Sequence, residues 1–226
     1  SDLLPTSTIW TGENCAPSPL FRSKSPALLH GVTNGKSPFR FNLHVRDLGH
    51  GIIFGPTRTG KSTKLGLIAL QWLRYPEARI FAFDKGMSMY PTCKGAGGKH
   101  YTIASSSDNL SFAHLSKLDT RTRRAWAGEW INTILSLNGV ETTPQQRNEI
   151  ANAITNMHES ESKTLSEFTV TVQDEIIREA LKPYTVDGAM GHLLDSENDG
   201  LDLERFMTFE IEVLMGLGER FALPVL

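Results

Sequence analysis

Gly55-Pro-Thr-Arg-Thr-Gly-Lys-Ser62 constrains this chain more than any other stretch. Its spacing, G-x-x-x-x-G-K-[ST], is that of a loop whose backbone N–H groups cradle a phosphate chain. The two glycines let the backbone close round an anion without Cβ clashes. The helix that follows adds the positive end of its dipole. The flanks agree. His50-Gly-Ile-Ile-Phe54 is a short apolar run of the kind a buried strand needs. Leu65, Ile68, Ala69, Trp72 and Leu73 recur at i, i+3, i+4, i+7 and i+8, one face of a helix, and Tyr75-Pro76 stops it. The expected phosphate-binding residues are Gly55, Pro56, Thr57, Arg58, Thr59, Gly60, Lys61, Ser62 and Thr63. Among them Lys61 reaches the β- and γ-phosphates and the Ser62 hydroxyl holds Mg²⁺.

A strand, this loop and a helix open a βαβ unit over residues 51–83. Arg79-Ile-Phe-Ala-Phe83 is predicted to be its second strand, parallel to the first. That strand ends in Asp84-Lys85-Gly86, which places an acid at the carboxyl edge where open α/β sheets bind ligands. Lys99–Ile103 reads as a third short strand after the Gly95–Gly98 turn, with Tyr101 and Ile103 buried. Ahead of the unit, residues 1–26 are broken by prolines, with Trp10, Leu20 and Phe21 tacking the segment to the core. Asn34-Gly35 marks a two-residue hairpin turn. Phe39, Phe41, Leu43 and Val45 alternate on one face of a half-buried strand.

From about 105 to 200 the pattern is helical. A helix capped by Asp119 or Thr120 runs through Trp126 and Trp130 to Asn138-Gly139. Thr143-Pro-Gln-Gln146 is a capping box with Pro at the first helical position, and Thr164-x-x-Glu167 is a second. A further helix spans Gln173 to Leu181. Residues 188–200 read as an acidic loop in which Asp195, Glu197 and Asp199 are solvated rather than an EF-hand. Phe206–Ile211 returns to strand and a helix begins at Ile211. The expected organisation is a lead-in and hairpin over 1–50, an α/β core over 51–104, an all-α insertion over 105–200, and a return to the core over 201–226.

Composition excludes some classes. With 23 Lys and Arg against 25 Asp and Glu, nothing supports a broadly basic nucleic-acid surface. Cys15 and Cys93 stand in unrelated contexts and give no metal framework. No apolar run is long enough to span a bilayer as a helix.

A P-loop hydrolase needs a second acid at the end of an apolar strand to organise Mg²⁺ and the attacking water. After residue 105 no four apolar residues lead into Asp-Glu. Asp84 is the only local substitute. It is read either as a supporting polar group or γ-phosphate sensor, or as a carboxylate satisfied by loop amides.

Several runs together carry a family resemblance. They are Ser37–His44, Gly49–Ser62, Phe83-Asp-Lys-Gly86, Gly97-Gly-Lys-His-Tyr101, Arg124–Ile131, Val172-Gln-Asp174 and Phe209–Met215. In order, and over nearly the whole chain, they resemble the traffic ATPases of type IV secretion systems, and within these the TrbE-type conjugal-transfer ATPases. The resemblance implies a recombinase-like P-loop NTPase core with an all-α insertion, ATP and Mg²⁺ as cofactors, and Lys61, with Asp84, as catalytic residues. It implies a homo-oligomer, in all expectation a hexamer, at the cytoplasmic face of the bacterial inner membrane. There ATP turnover drives pilus assembly or substrate transfer alongside other type IV secretion proteins. The alternatives are a DNA-pumping coupling or helicase ATPase with direct nucleic-acid contacts, and a non-catalytic module that docks to the secretion channel. Two departures stand out: Arg58 occupies a position where the family commonly has Gly, and the Asp-Glu strand is absent. The expectation is that it follows beyond Leu226, so that this stretch alone hydrolyses ATP negligibly.

Overall fold

The computed structural model describes residues 21–44, 46–105, 110–160 and 163–226. The expected packing roles of Trp10, Leu20 and Val45 lie outside them. Leu29–Val32 (β1) and Pro38–Phe41 (β2) form an antiparallel hairpin in which Leu29 lies opposite Phe41 and Val32 opposite Pro38. Asn34-Gly35 does turn the chain, closed by Lys36 N–H on the Thr33 carbonyl at 2.9 Å. The turn is not the simple two-residue one, however. Lys36 adopts a left-handed φ of 59°, and Thr33 N–H reaches past it to the Ser37 carbonyl. That is the longer hairpin loop with a bulge residue. β2 ends earlier than the alternation of apolar residues predicts, because the Asn42 side-chain Oδ1 takes the Leu28 N–H, at 3.0 Å. Phe39 is left half exposed.

The remaining elements begin with a helix over Lys61–Trp72 (α1), a strand over Ile80–Asp84 (β3), a helix over Tyr90–Gly95 (α2) and a strand over Lys99–Thr102 (β4). Helices follow over Arg121–Leu137 (α3), Pro144–Met157 (α4), Leu165–Thr171 (α5), Glu175–Leu181 (α6) and Gly191–Leu194 (α7). A strand over Phe206–Glu210 (β5) and short helices over Glu212–Gly216 (α8) and Glu219–Ala222 (α9) complete the described residues. β3, β5 and β4 form a sheet in that order. Ile80 N–H bonds to the Arg205 carbonyl and Ile211 N–H to the Asp84 carbonyl. Residue numbers therefore rise together on the two strands, and they are parallel. The architecture is mixed α/β.

Two compact units divide the chain. The first comprises the residues through Ala82, Met87–His100 and Glu204–Thr208. Here α1 buries Gly66, Ile68 and Ala69. Ala69 joins Met89, Cys93 and Phe206 in one small core, and Ile68 joins Leu28 and Tyr75 in another. The end of α1 is held by two guanidinium groups. Arg205 donates to the Leu73 and Tyr75 carbonyls, and Arg74 to those of Ala27 and Leu28. Two predictions fail in this unit. Residues 51–54 form no strand: Ile52 is 76% and Phe54 88% exposed. An apolar run becomes a strand only when a neighbour pairs its backbone, and none does so among the described residues. Leu65, predicted to lie on the buried face of α1, is likewise about half exposed.

The second unit comprises Phe83–Gly86, Tyr101–Leu203 and Phe209–Leu226. Its helices start where their caps predict. Thr120 Oγ1 accepts from Arg123 N–H, both bonds of the Thr143–Gln146 capping box are formed, and Thr164 Oγ1 accepts from Glu167 N–H. α6 starts two residues later than expected, because Asp174 caps it through Ile176 and Ile177 N–H. The acidic stretch differs from a solvated loop. It contains α7, Asp195 accepts from both the N–H and the hydroxyl of Ser166, and Asp199 accepts from Ala113 N–H. Among the described residues no group of three or more His, Cys, Asp or Glu is placed to hold a metal ion.

Candidate phosphate-binding site

Residues 55–60 are exposed and lead into the N-terminus of α1. Gly60 turns the chain with φ 85°, and no side chain caps the helix. The first backbone bond of the helix is Lys64 N–H to the Gly60 carbonyl. A helix start without a side-chain cap, approached through a left-handed glycine, offers its N–H groups and dipole to an anion. Inside the loop, Thr59 Oγ1 and Lys61 Nζ both donate to the Pro56 carbonyl. Lys61 is thus folded over the loop's own backbone rather than extended into solvent. A Cβ on Gly55 would lie 2.9 Å from Thr59 Oγ1, so the side chain pinned on Pro56 leaves room for glycine only. Arg58 has φ 67°, the left-handed region that costs an L-residue energy. A glycine is free there, which explains physically why Arg58 stood out in the sequence. These features fit a bound phosphate chain: donors converge from the backbone, Lys61 is in reach of the loop interior, and the Ser62 hydroxyl stands at the helix start, where Mg²⁺ would be held. Thr57 and Thr63 flank the loop and are exposed.

Beside the loop, within the same unit, lies a cavity of about 650 Å³. Lys61 and Ser62 line it together with Phe41, Asn42 and Leu43 of the hairpin segment, Gly51, Ile52 and Ile53, and Leu65 and Ile68 of α1.

Asp84 belongs to the second unit. It is 7% exposed at the carboxyl end of β3, and its carbonyl accepts from Ile211 N–H. The turn after it is fastened by a residue that sequence reasoning passed over. Glu210, 3% exposed at the end of β5, accepts Gly86 N–H at 3.1 Å and Glu212 N–H at 3.0 Å on the same oxygen, Oε1. Gly86 has φ 89°, so the turn requires a residue tolerant of left-handed backbone.

Comparison with known proteins adds a second line. A probable conjugal transfer protein TrbE of Sinorhizobium fredii is 49% identical over 230 residues, all of this chain. Conjugal transfer protein TrbE of Rhizobium radiobacter is also 49% identical, over 232 residues. The chain belongs to the TrbE family of conjugal transfer proteins. It spans 35% and 28% of the lengths of these two relatives. A more distant TrbE relative, the type IV secretion system protein VirB4 of Bartonella quintana, is 26% identical over 178 residues, 76% of this chain and 22% of its own length. The solved structure of VirB4 of Thermoanaerobacter pseudethanolicus superposes with a TM-score of 0.54 at 12% identity, covering 73% of this chain and 50% of that one. That likeness concerns the fold. No family model matches the chain.

Proposed function

We propose that this chain is the nucleotide-binding region of an ATP-driven motor of a type IV secretion or conjugation apparatus. In the whole protein, ATP hydrolysis then powers pilus assembly or substrate transfer. The observation that carries this reading is the glycine-led N-terminus of α1, free of any side-chain cap, with Lys61 folded into the loop before it. The 49% identity to conjugal transfer proteins supports the biological setting.

ATP, when bound, supplies the phosphoanhydride to be split, and Mg²⁺ the charge compensation. The protein's own residues do the rest. Loop N–H groups hold the phosphate oxygens. The Lys61 ammonium exchanges the Pro56 carbonyl for a phosphate oxygen, and Ser62 Oγ holds the cation. Asp84 is a supporting acid, acting as an orienting polar group or as a sensor of the γ-phosphate. The main acid belongs to an Asp-Glu strand that is not among these residues, so the chain alone binds nucleotide and hydrolyses it negligibly. The core is recombinase-like, and the whole protein works as a hexamer, peripherally, at the cytoplasmic face of the inner membrane with other type IV secretion proteins. In keeping with peripheral attachment, no helix among the described residues is long and apolar enough to cross a membrane.

Calorimetric titration of the purified chain with MgATP tests this reading. Lys61→Ala removes a charge-assisted contact and is expected to weaken binding by about 1.5–3 kcal/mol, with the far-UV circular dichroism unchanged. A folded Lys61→Ala chain that binds MgATP as tightly as the parent overturns the assignment.

A further inference from the structure

We propose that the cavity beside Ser62 receives the nucleoside of a purine nucleoside triphosphate, with Phe41 as its stacking surface and Asn42 as a donor to a ring nitrogen. This rests on the phosphate-loop reading and extends it to the other half of the ligand.

Phosphates held at Lys61 and Ser62 leave the nucleoside to enter a space that adjoins both residues, and this cavity does. At about 650 Å³ it falls within the size range of small-molecule sites, roughly 300–1,000 Å³. Its walls are mainly apolar, from Phe41, Leu43, Ile53 and Leu65. Such walls suit an aromatic base better than they suit more phosphate. Phe41 stands near the phosphate end of the helix: Lys64 Nζ, in the first turn of α1, lies 5.7 Å from the centre of its ring. Base–aromatic stacking accepts any base with a π face. The polar group that sets orientation is Asn42. Its Oδ1 is committed to Leu28 N–H, which fixes the amide plane and leaves the Nδ2 protons as donors. Purine ring nitrogens are acceptors, so the pairing is complementary. Gly51 completes the wall: a Cβ there would already lie 3.4 Å from Leu43 Cδ2, so a branched side chain would occupy space in the cavity. Its φ is not left-handed, and a larger residue is tolerated by the backbone.

Titration of the chain with MgATP and, separately, with inorganic tripolyphosphate and Mg²⁺ tests the proposal. Tripolyphosphate reads the loop alone, and ATP reads loop and cavity. ATP is expected to bind on the order of tenfold tighter or more, from stacking of one base. Gly51→Val and Phe41→Ala are each expected to reduce ATP to the tripolyphosphate level while tripolyphosphate affinity stays constant, and Phe41→Trp to keep the preference. Equal binding of ATP and tripolyphosphate by the parent chain overturns the cavity assignment and leaves the loop standing. Failure of both to bind removes the loop reading and this one with it. Where Phe41→Ala disturbs the hairpin, Gly51→Val decides: an undiminished ATP preference in that variant overturns the proposal.

Discussion

Arg58→Gly is the substitution whose effect follows most directly from the geometry. Arg58 holds φ 67°, where the Cβ of an L-residue crowds the following carbonyl, at a cost of roughly 1–2 kcal/mol. Glycine removes that cost but gains freedom in the unfolded chain, which returns about 0.4–1 kcal/mol. The net is a stabilisation of about 0.5–1 kcal/mol, or roughly 1–4 °C in Tm for a chain of this size. Arg58→Ala separates backbone from side chain. It deletes the guanidinium and keeps the Cβ, so its stability is expected to match the parent, not the glycine variant. Differential scanning fluorimetry and urea denaturation of the three proteins read both values. If Arg58→Ala gains as much as Arg58→Gly, the charge was responsible and the backbone reasoning is wrong. If Arg58→Gly gains nothing, the loop does not carry the strain into the folded state. Strained residues gather at ligand-binding loops, where the surrounding structure over-determines them. MgATP affinity in Arg58→Gly is accordingly expected to be at least that of the parent.

Two further outcomes concern the helical unit. Asp174 accepts Ile176 and Ile177 N–H on one oxygen and Gln146 Nε2 on the other. The Gln146 side chain first, and the Ile177 N–H second, hold its carboxyl below the usual value of 3.8. A depressed carboxylate stabilises the fold above its unfolded value and loses that contribution as pH falls through the folded one. Asp174→Ala is therefore expected to cost about 0.5–2 kcal/mol at pH 7, a difference that urea titrations should show shrinking in acid. His114 stacks between the near-parallel rings of Trp130 and Trp126, and burial lowers its pKa from 6.5, with the Asp199 charge and the Phe112 backbone opposing. Below 6.5 the unfolded chain binds the proton first, so stability falls as pH drops through that value. His114→Phe is expected to flatten Tm against pH between about 7 and 5, and parallel curves for the two proteins would refute this.

What the sequence made legible was local. Thr143 and Gln146 are three residues apart, and their reciprocal bonds form as the spacing demands. The same holds for Thr120, for Thr164 and for the glycine-led start of α1. α2 was not legible: Tyr90–Gly95 buries only Cys93, too little for a periodic signal, and only the turn behind it was read. The run Gly51–Phe54 shows the opposite failure. Its apolar character is real, but hydropathy states a demand for cover, not which residues meet it.

The site was legible to the same extent. Lys61, Ser62 and the loop glycines are specified by eight consecutive positions, and the structure places them at one helix terminus. Glu210 is different. In an alternating strand a terminal glutamate reads as solvent-facing, yet every residue of β5 is buried. A buried carboxylate requires donors, and two of them are backbone N–H groups: Glu212 nearby, and Gly86, separated by 124 positions in the chain. No spacing rule links positions that far apart. The link exists because β3 and β5 are parallel neighbours whose carboxyl ends meet, so that the side chain ending one strand fastens the turn leaving the other. Asp84 was found because it ends a strand near the loop in sequence. The residue that shapes the turn behind it becomes visible only once the strand order is known.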